Sequence, residues 1–224
     1  MKKAMMMSSR RRGVIGGLYA VLMGAIGVMS ASSTVAQADS IVARLFFDKK
    51  PPRVGVMYAV DGNQSTITNQ KIDQKEKQFD QDLYVISPGA AVTLRNSDSI
   101  DHNIYARGSE QAPGFDAGLM SPNKEKTMKL DWQAPNFERL SCKIHPKMRA
   151  YVASIPTDHF VSMLFKREGL DESYSLTVDA STHAIGLLLL GYEPVEVTLN
   201  NGESMEVELK KRNQVSGKVV FSRQ

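Results

Sequence analysis

Short apolar runs alternate with polar turns along most of the chain after residue 38. Runs of about four to eight residues rich in branched and aromatic side chains, bounded by Gly, Pro, Asn or Asp, are typical of β-strands. The runs are IVARLFF, VGVMYAV, DLYVI, AVTLRN, TMKLDW, FERLSC, RAYVASI, YSLTV, AIGLLLL, VEVTL, SMEVEL and GKVVF, and NNGE marks a hairpin-type turn. Strands of this length and spacing predict an all-β fold made of β-sandwiches.

The order of these runs suggests two domains. We predict a boundary near IPTDH, because the segments before it are irregular and those after it are more regular. We therefore predict one domain over residues 39–155 and a small second β domain over residues 156–224. The N-terminal strands in residues 41–60 suit either sandwich, and the polar segment 68–82 suits a loop or one short helix.

The first 38 residues have the pattern of an export signal. A basic start is followed by the apolar run GVIGGLYAVLMGAIGVM and by VAQA, a small-residue cleavage site that ends at Ala38. The SRRRGVI stretch fits ordinary secretion and twin-arginine export equally. An uncleaved anchor is the alternative, and only in that case would the protein contact a membrane.

Removal of this signal changes the charge of the protein. The whole chain has 28 basic and 24 acidic residues, and five of the basic residues lie in the signal. The exported chain then carries 23 basic against 24 acidic residues, so its net charge is close to zero. No basic patch with interleaved aromatic residues remains, which argues against nucleic-acid binding.

The chain has a single cysteine, in the stretch RLSCKIHPKMRAYV. A lone cysteine in an exported protein is buried, forms an intermolecular bond or takes part in chemistry. Here Cys142, His145 and Met148 follow one another at equal spacing. Thiolate, imidazole and thioether together favour copper, and two histidines, a cysteine and a weak axial methionine make up an electron-transfer copper site.

A second imidazole must come from elsewhere in the chain. His102 follows the predicted strand AVTLRN, at a strand end that a sandwich could bring to the cysteine loop. His159 and His183 have no cysteine, methionine or acid at ligand spacing. We expect these two to be structural, and we expect residues 156–224 to take no part in metal binding. Met120 and Met128 are expected in the core.

The wider stretch resembles the cupredoxins, the type 1 blue copper proteins. NSDSIDHN followed by CKIHPKM is similar to their copper site, and the C-x2-H-x2-M spacing is that of amicyanin and pseudoazurin. The run of DQKEKQF, G-x-x-V-x-x-x-N-S-D, HN, FDAGL and C-x-IHP-x-M looks closest to plastocyanin-like proteins of methylamine utilisation. This resemblance covers roughly residues 72–155 and implies a Greek-key β-sandwich.

The resemblance implies a role for each matching residue. The copper ligands would be His102, Cys142, His145 and Met148. Asn103 would direct its backbone N–H at the cysteine sulfur and tie two loops together through its side chain, and Pro146 should stiffen the loop.

Two positions depart from the family pattern. Ser141 stands where an aromatic residue is common, and Lys143 stands where Ser or Thr usually meets the asparagine. These departures leave the route of electrons and the tuning of the reduction potential open. The alternative for the whole quartet is a decayed site in which His145 and Met148 simply pack.

The C-terminal segment resembles a different family. GYEPVEVTLNNGESMEVELKK is similar to the last strands of carboxypeptidase-regulatory-like β-sandwiches, which implies a supporting or docking module.

The function that follows is periplasmic one-electron transfer by one copper centre cycling between Cu(I) and Cu(II). A periplasmic redox protein, such as a cytochrome c or a dehydrogenase, would dock near His145. The alternative is a copper chaperone or storage protein without electron transfer. A copper oxidase or nitrite reductase needs a second centre with several further histidines, and only two remain, so we do not expect an enzyme.

Overall fold

The computed structural model describes residues 39–61, 65–67, 70–166, 171–179 and 181–224; the predicted export signal lies outside these ranges. The described residues form seventeen strands and no helix, so the all-β prediction is confirmed. No described helix is long and apolar enough to span a bilayer. In chain order the strands are β1 Ser40–Phe47, β2 Val54–Ala59, β3 Gln70–Lys75, β4 Gln78–Phe79, β5 Leu83–Ile86, β6 Ala91–Asn96, β7 His102–Ala106, β8 Phe115–Met120, β9 Glu125–Lys129, β10 Asn136–Ser141, β11 Arg149–Ser154, β12 Phe160–Leu164, β13 Asp171–Thr177, β14 Ala184–Leu189, β15 Val195–Thr198, β16 Ser204–Lys211 and β17 Gln214–Arg223.

Strands β3 to β11 form a first sandwich. One sheet has the order β5-β11-β10-β7-β8 and the other β4-β3-β6-β9. Neighbouring strands are antiparallel except for the pairs β5–β11 and β3–β6, which are parallel. Apolar side chains from both sheets meet in one core, in which Trp132, Ile72, Leu94, Ile104 and Leu140 are almost fully buried.

The remaining strands form a second sandwich. Its sheets have the orders β13-β1-β17-β16 and β12-β2-β14-β15. In β1 the buried positions alternate, because Ile41, Ala43, Leu45 and Phe47 face the second core while their neighbours point outward. This is the period-two pattern of a strand with one buried face.

The predicted domain division needs correction at its N-terminal end. Strand β1 lies between β13 and β17, and β2 lies between β12 and β14, so residues 40–59 belong with the C-terminal strands. The predicted domain of residues 39–155 had placed them with the cysteine loop. Alternation in β1 determines which face is buried, but it is equally compatible with either neighbouring sheet.

The segment 68–82 is also different from the expectation. Its described part forms β3 and β4, and β3 pairs in parallel with β6. The apolar pattern is weak because Gln74, a polar residue, is fully buried beside Ile72. The side-chain amide of Gln74 donates to the backbone oxygen of Asn103 at 3.2 Å, which satisfies that buried donor.

A third apolar cluster joins the two sandwiches. Every residue of β2 is buried, because Met57 faces the second core while Val54, Val56 and Tyr58 face the first sandwich. The opposite side of this seam is formed by Leu83 and Val85 of β5, Ala153 of β11 and Ile155, whereas Leu188 of β14 lies beside Val56 on the β2 side. Strands β5 and β11 are therefore buried on both faces.

Candidate metal centre

Three of the predicted ligands converge at one end of the first sandwich. Strands β7 and β10 are antiparallel neighbours in which Ser141 pairs with Tyr105, so the start of β7 meets the end of β10. This register brings His102, the first residue of β7, to Cys142, the first residue after β10. His145 reaches the same point from the loop between β10 and β11. Within the described parts of the chain, these are the only three His, Cys or acidic side chains grouped closely enough to share an ion.

The donor atoms form a small triangle. The Nδ1 atoms of His102 and His145 are 3.0 Å apart, and the Sγ atom of Cys142 lies 3.9 Å from the first and 3.7 Å from the second. His102 and Cys142 are buried, whereas His145 is partly exposed.

One metal ion can reach all three atoms. Metal bonds to imidazole nitrogen and thiolate sulfur are about 2.0 and 2.3 Å long for a borderline divalent ion. Two such bonds span more than any side of the triangle. The donor set therefore fits copper in its chemistry and in its spacing.

Met148 lies at the end of the same loop. Its backbone N–H donates to the carbonyl oxygen of His145 at 2.9 Å, which closes a turn with Pro146 in its second position. Proline favours that position because its φ angle is already that of the turn. The Met148 side chain is buried in the same apolar cluster as Cys142, and its backbone lies beside His145 through this turn.

A carboxylate fixes the tautomer of His102. The Nε2 atom of His102 lies 2.9 Å from Oδ2 of Asp98, so the ring donates there and leaves Nδ1 free to bind a metal. Asp98 is held in turn by the backbone N–H of Lys77, at 2.8 Å. The hydrogen bond from His102, followed by that from Lys77, lowers the pKa of Asp98 to about 2. Asp98 therefore stays a charged acceptor.

Asn103 has the position that the family resemblance implies. Its backbone N–H donates to Sγ of Cys142 at 3.4 Å. Its side-chain oxygen accepts from the backbone N–H of Lys143 at 3.3 Å, and its side-chain nitrogen donates to Asp116 at 2.6 Å. Asn103 thus connects β7 to the ligand loop and to β8.

The two departures from the family pattern have structural answers. Ser141 is buried in β10 and pairs across the sheet with Tyr105. Lys143 meets Asn103 through its backbone, and its ammonium group forms an ion pair with Asp116 above the ring of Tyr105. This pairing raises the pKa of Lys143 and, with the N–H of Gly118, lowers the pKa of Asp116 to about 2.

Sequence reasoning missed the two carboxylates. Asp98 lies within NSDSIDHN, four residues before His102, and Asp116 lies within FDAGL. Both stretches belong to the family resemblance, but the sequence pattern alone assigns neither acid a role. A carboxylate close in sequence to a histidine ligand is the signal that would have pointed to Asp98.

The other two histidines are engaged elsewhere. His159 Nε2 lies 2.5 Å from the carbonyl oxygen of Thr177. His183 Nδ1 accepts from the guanidinium of Arg223 at 3.2 Å. Both contacts lie in the second sandwich, which is in keeping with the structural role expected for these residues. Met120 is buried in the first core and Met128 packs against it, as expected.

Comparisons with known proteins give structural neighbours alone. No family model and no curated protein matches the chain. A reduced amicyanin mutant is 17% identical with a TM-score of 0.34, and it is matched over 98% of its length by 43% of this chain. Reduced auracyanin from Roseiflexus castenholzii is 17% identical (TM-score 0.35), with 100% of it matched by 41% of this chain. A purple cupredoxin from Nitrosopumilus maritimus is 16% identical (TM-score 0.33), with 99% of it matched by 38% of this chain.

The first sandwich has parallel and antiparallel strand pairs arranged in two facing sheets around one core. The metal assignment rests on the donor atoms themselves.

Proposed function

We propose that this protein is an exported one-electron carrier with one type 1 copper centre, bound by His102, Cys142, His145 and Met148. The observation that carries the proposal is the triangle of one sulfur and two imidazole nitrogens, all within 4.8 Å of one another. A thioether beside a thiolate favours copper, because the usual zinc ligands are thiolate, imidazole and carboxylate. Bound copper would supply one-electron chemistry by cycling between Cu(I) and Cu(II).

The donors are already held in place by the surrounding protein. His102 is oriented by Asp98, Cys142 receives the N–H of Asn103, and Met148 closes a turn onto His145. Ligands fixed in this way need to move little between Cu(I) and Cu(II), which keeps reorganisation small. Such outer hydrogen bonds also tune the metal.

A carrier fits the remaining histidines better than a copper enzyme does. A second centre would need several imidazoles close together, but within the described residues neither His159 nor His183 belongs to a group of three potential metal ligands.

An exposed apolar surface beside His145 is the proposed docking face. Ile144 is 50% exposed and Leu119 is 65% exposed, and the adjoining Pro146 and Lys147 are exposed as well. Leu119 pairs with Asn103, so both apolar residues lie close to the ligands. Redox partners meet through small transient interfaces, and a periplasmic cytochrome c or dehydrogenase is the partner class that we propose.

The visible spectrum of the copper-loaded protein tests the centre. An oxidised copper–thiolate site absorbs intensely, and Cys142→Ser should abolish the band because a hydroxyl cannot act as the charge-transfer donor. Ser141→Ala, one residue away, should keep it. Tight binding of colourless Cu(I) without an oxidised band would instead favour a chaperone or store.

Electron exchange between copies of the protein tests the docking face. Mixing Cu(I) and Cu(II) forms and measuring the self-exchange rate by NMR needs no knowledge of the natural partner. Ile144→Ser should slow the exchange several-fold, because the apolar contact next to His145 is lost. Val215→Ser is the matched control, since Val215 is also 50% exposed but belongs to the second sandwich. Equal rates in both variants would contradict this docking face.

A further inference from the structure

Asp116 holds three donors from three different segments. One carboxylate oxygen accepts from the side-chain nitrogen of Asn103 at 2.6 Å and from the backbone N–H of Gly118 at 2.9 Å. The other oxygen pairs with the ammonium group of Lys143. The Asp116 side chain is 40% exposed, so it contacts protein donors on one side and water on the other.

Gly118 gives this arrangement its shape. Its φ angle is +76°, in the left-handed region that favours glycine. The turn directs the N–H of Gly118 to Asp116, while its carbonyl oxygen accepts from Asn103 at 3.1 Å. The β7–β8 ladder shifts register between Asn103 and Tyr105, which leaves room for this side chain to bridge the strands.

Asn103 therefore links Asp116 to Cys142, through its side chain at one end and its backbone N–H at the other. The side chain is anchored by Asp116, Gly118 and Lys143, while the backbone N–H points at the sulfur of Cys142. Asn103 is only 5% exposed, so water cannot easily replace a lost anchor.

We propose that Asp116 is a positioning residue that sets the hydrogen bond from Asn103 to the Cys142 thiolate, with Lys143 as its counter-ion. The inference rests on the proposed function, in which that thiolate binds copper. A donated N–H stabilises negative charge on sulfur, and sulfur carries more of that charge in the Cu(I) state. Loosening Asn103 should therefore favour Cu(II) and lower the reduction potential.

A charge-neutral double variant separates position from electrostatics. Asp116→Ala with Lys143→Met removes one negative and one positive charge, so the net charge is unchanged. At a fixed applied potential, the ratio of Cu(I) to Cu(II) should fall about fivefold, as expected for one hydrogen bond worth about 1 kcal/mol. The visible thiolate band should shift while copper stays bound. The control is Glu206→Ala with Lys218→Met, an exposed pair at 2.8 Å in the second sandwich, which should change neither quantity.

Amide hydrogen exchange of full-length protein without copper gives a readout that does not depend on the metal. The backbone N–H of Asn103 should exchange about tenfold faster or more in Asp116→Ala than in the parent protein. Asp116→Asn keeps one acceptor oxygen and should lie between them, which guards against a misfolded alanine variant. Unchanged exchange at Asn103, with an unchanged band and potential in the double variant, would overturn the positioning role. A parent protein that binds copper without an intense band would overturn the proposed function, while the exchange result would still decide the role of Asp116.

Discussion

Arg223 allows a direct test of whether the second sandwich stabilises the protein without shaping the copper site. Its guanidinium is 1% exposed and donates to the carbonyl oxygens of Thr182 and Leu199, at 2.5 and 3.3 Å. It also donates to Nδ1 of His183 and forms an ion pair with Asp39 at 2.8 Å. These contacts join the last strand to the first residue expected after removal of the export signal. We predict that Arg223→Met destabilises the protein strongly and leaves the copper site intact.

The size of the effect follows from the partners left behind. Without the guanidinium, two buried carbonyl oxygens and a partly buried ring nitrogen of His183 lose a donor, and each such loss costs about 1–3 kcal/mol. Water at Asp39, which is 27% exposed, offsets part of the loss of the ion pair. A total of about 3 kcal/mol is a cautious sum. For a chain of this size it corresponds to a fall in Tm of about 6–12 °C.

Thermal unfolding of copper-loaded protein, with the visible band recorded at 20 °C, measures both halves of the prediction. Arg223→Lys should lose less stability than Arg223→Met because it keeps the positive charge. It should still be less stable than the parent, because an ammonium group cannot reach all the acceptors. Lys218→Met, on the same strand, breaks an exposed pair with Glu206 and should shift Tm little. A Tm within 1 °C of the parent would refute the energetic reasoning, and a lost band in folded protein would show that the second sandwich shapes the copper site.

Three further outcomes are expected. Met148→Leu should keep copper and colour but raise the reduction potential, because a weak axial donor to Cu(II) is lost; complete loss of copper on dialysis would contradict a type 1 site. Replacing both His159 and His183 by Gln should leave one copper per chain by metal analysis, whereas loss of a second, colourless copper would revive the enzyme alternative. The pKa of Asp116 is lowered from 3.8 to about 2, so its stabilising contacts are complete above pH 4 and are lost as the pH falls toward 2. The free energy of unfolding of the parent protein, measured with urea, should therefore fall over that pH range. Asp116→Asn should show a shallower dependence on pH.

The candidate ligand set could be proposed from the sequence because three of its members share one short loop. The spacing of Cys142, His145 and Met148 identifies soft donors without any knowledge of the fold. His102 could be suggested from its place after a predicted strand and from the family resemblance, but the register that brings it to Cys142 is a property of β7 and β10 together.

Contacts that depend on register or on the choice of neighbouring strand were not readable. Asp116 meets Lys143 and Asn103 across strands, at a point where the ladder shifts. Strand β1 alternates perfectly, yet alternation is silent about which strands lie on either side of it. Gln74 is a buried polar residue of β3 whose side-chain amide donates to a backbone oxygen. The segment therefore has the polar pattern of a loop although it forms a strand.

The seam between the sandwiches explains why point substitutions, and not truncation, are the proper test of the C-terminal segment. Strand β11 begins directly after Met148. Its residues alternate between the first core, which Ala150 and Val152 face, and the cluster between the sandwiches, where Ala153 lies with residues of β2 and β14. Deleting residues 156–224 would remove the partners of β1 and β2 and expose the apolar outer face of β5 and β11. Loss of copper after such a deletion would then report a collapsed support under the ligand loop, because burial of that face stabilises the strand on which the loop ends. Substitutions at Arg223, His159 and His183 leave the seam in place, so they separate a role in metal binding from a role in support.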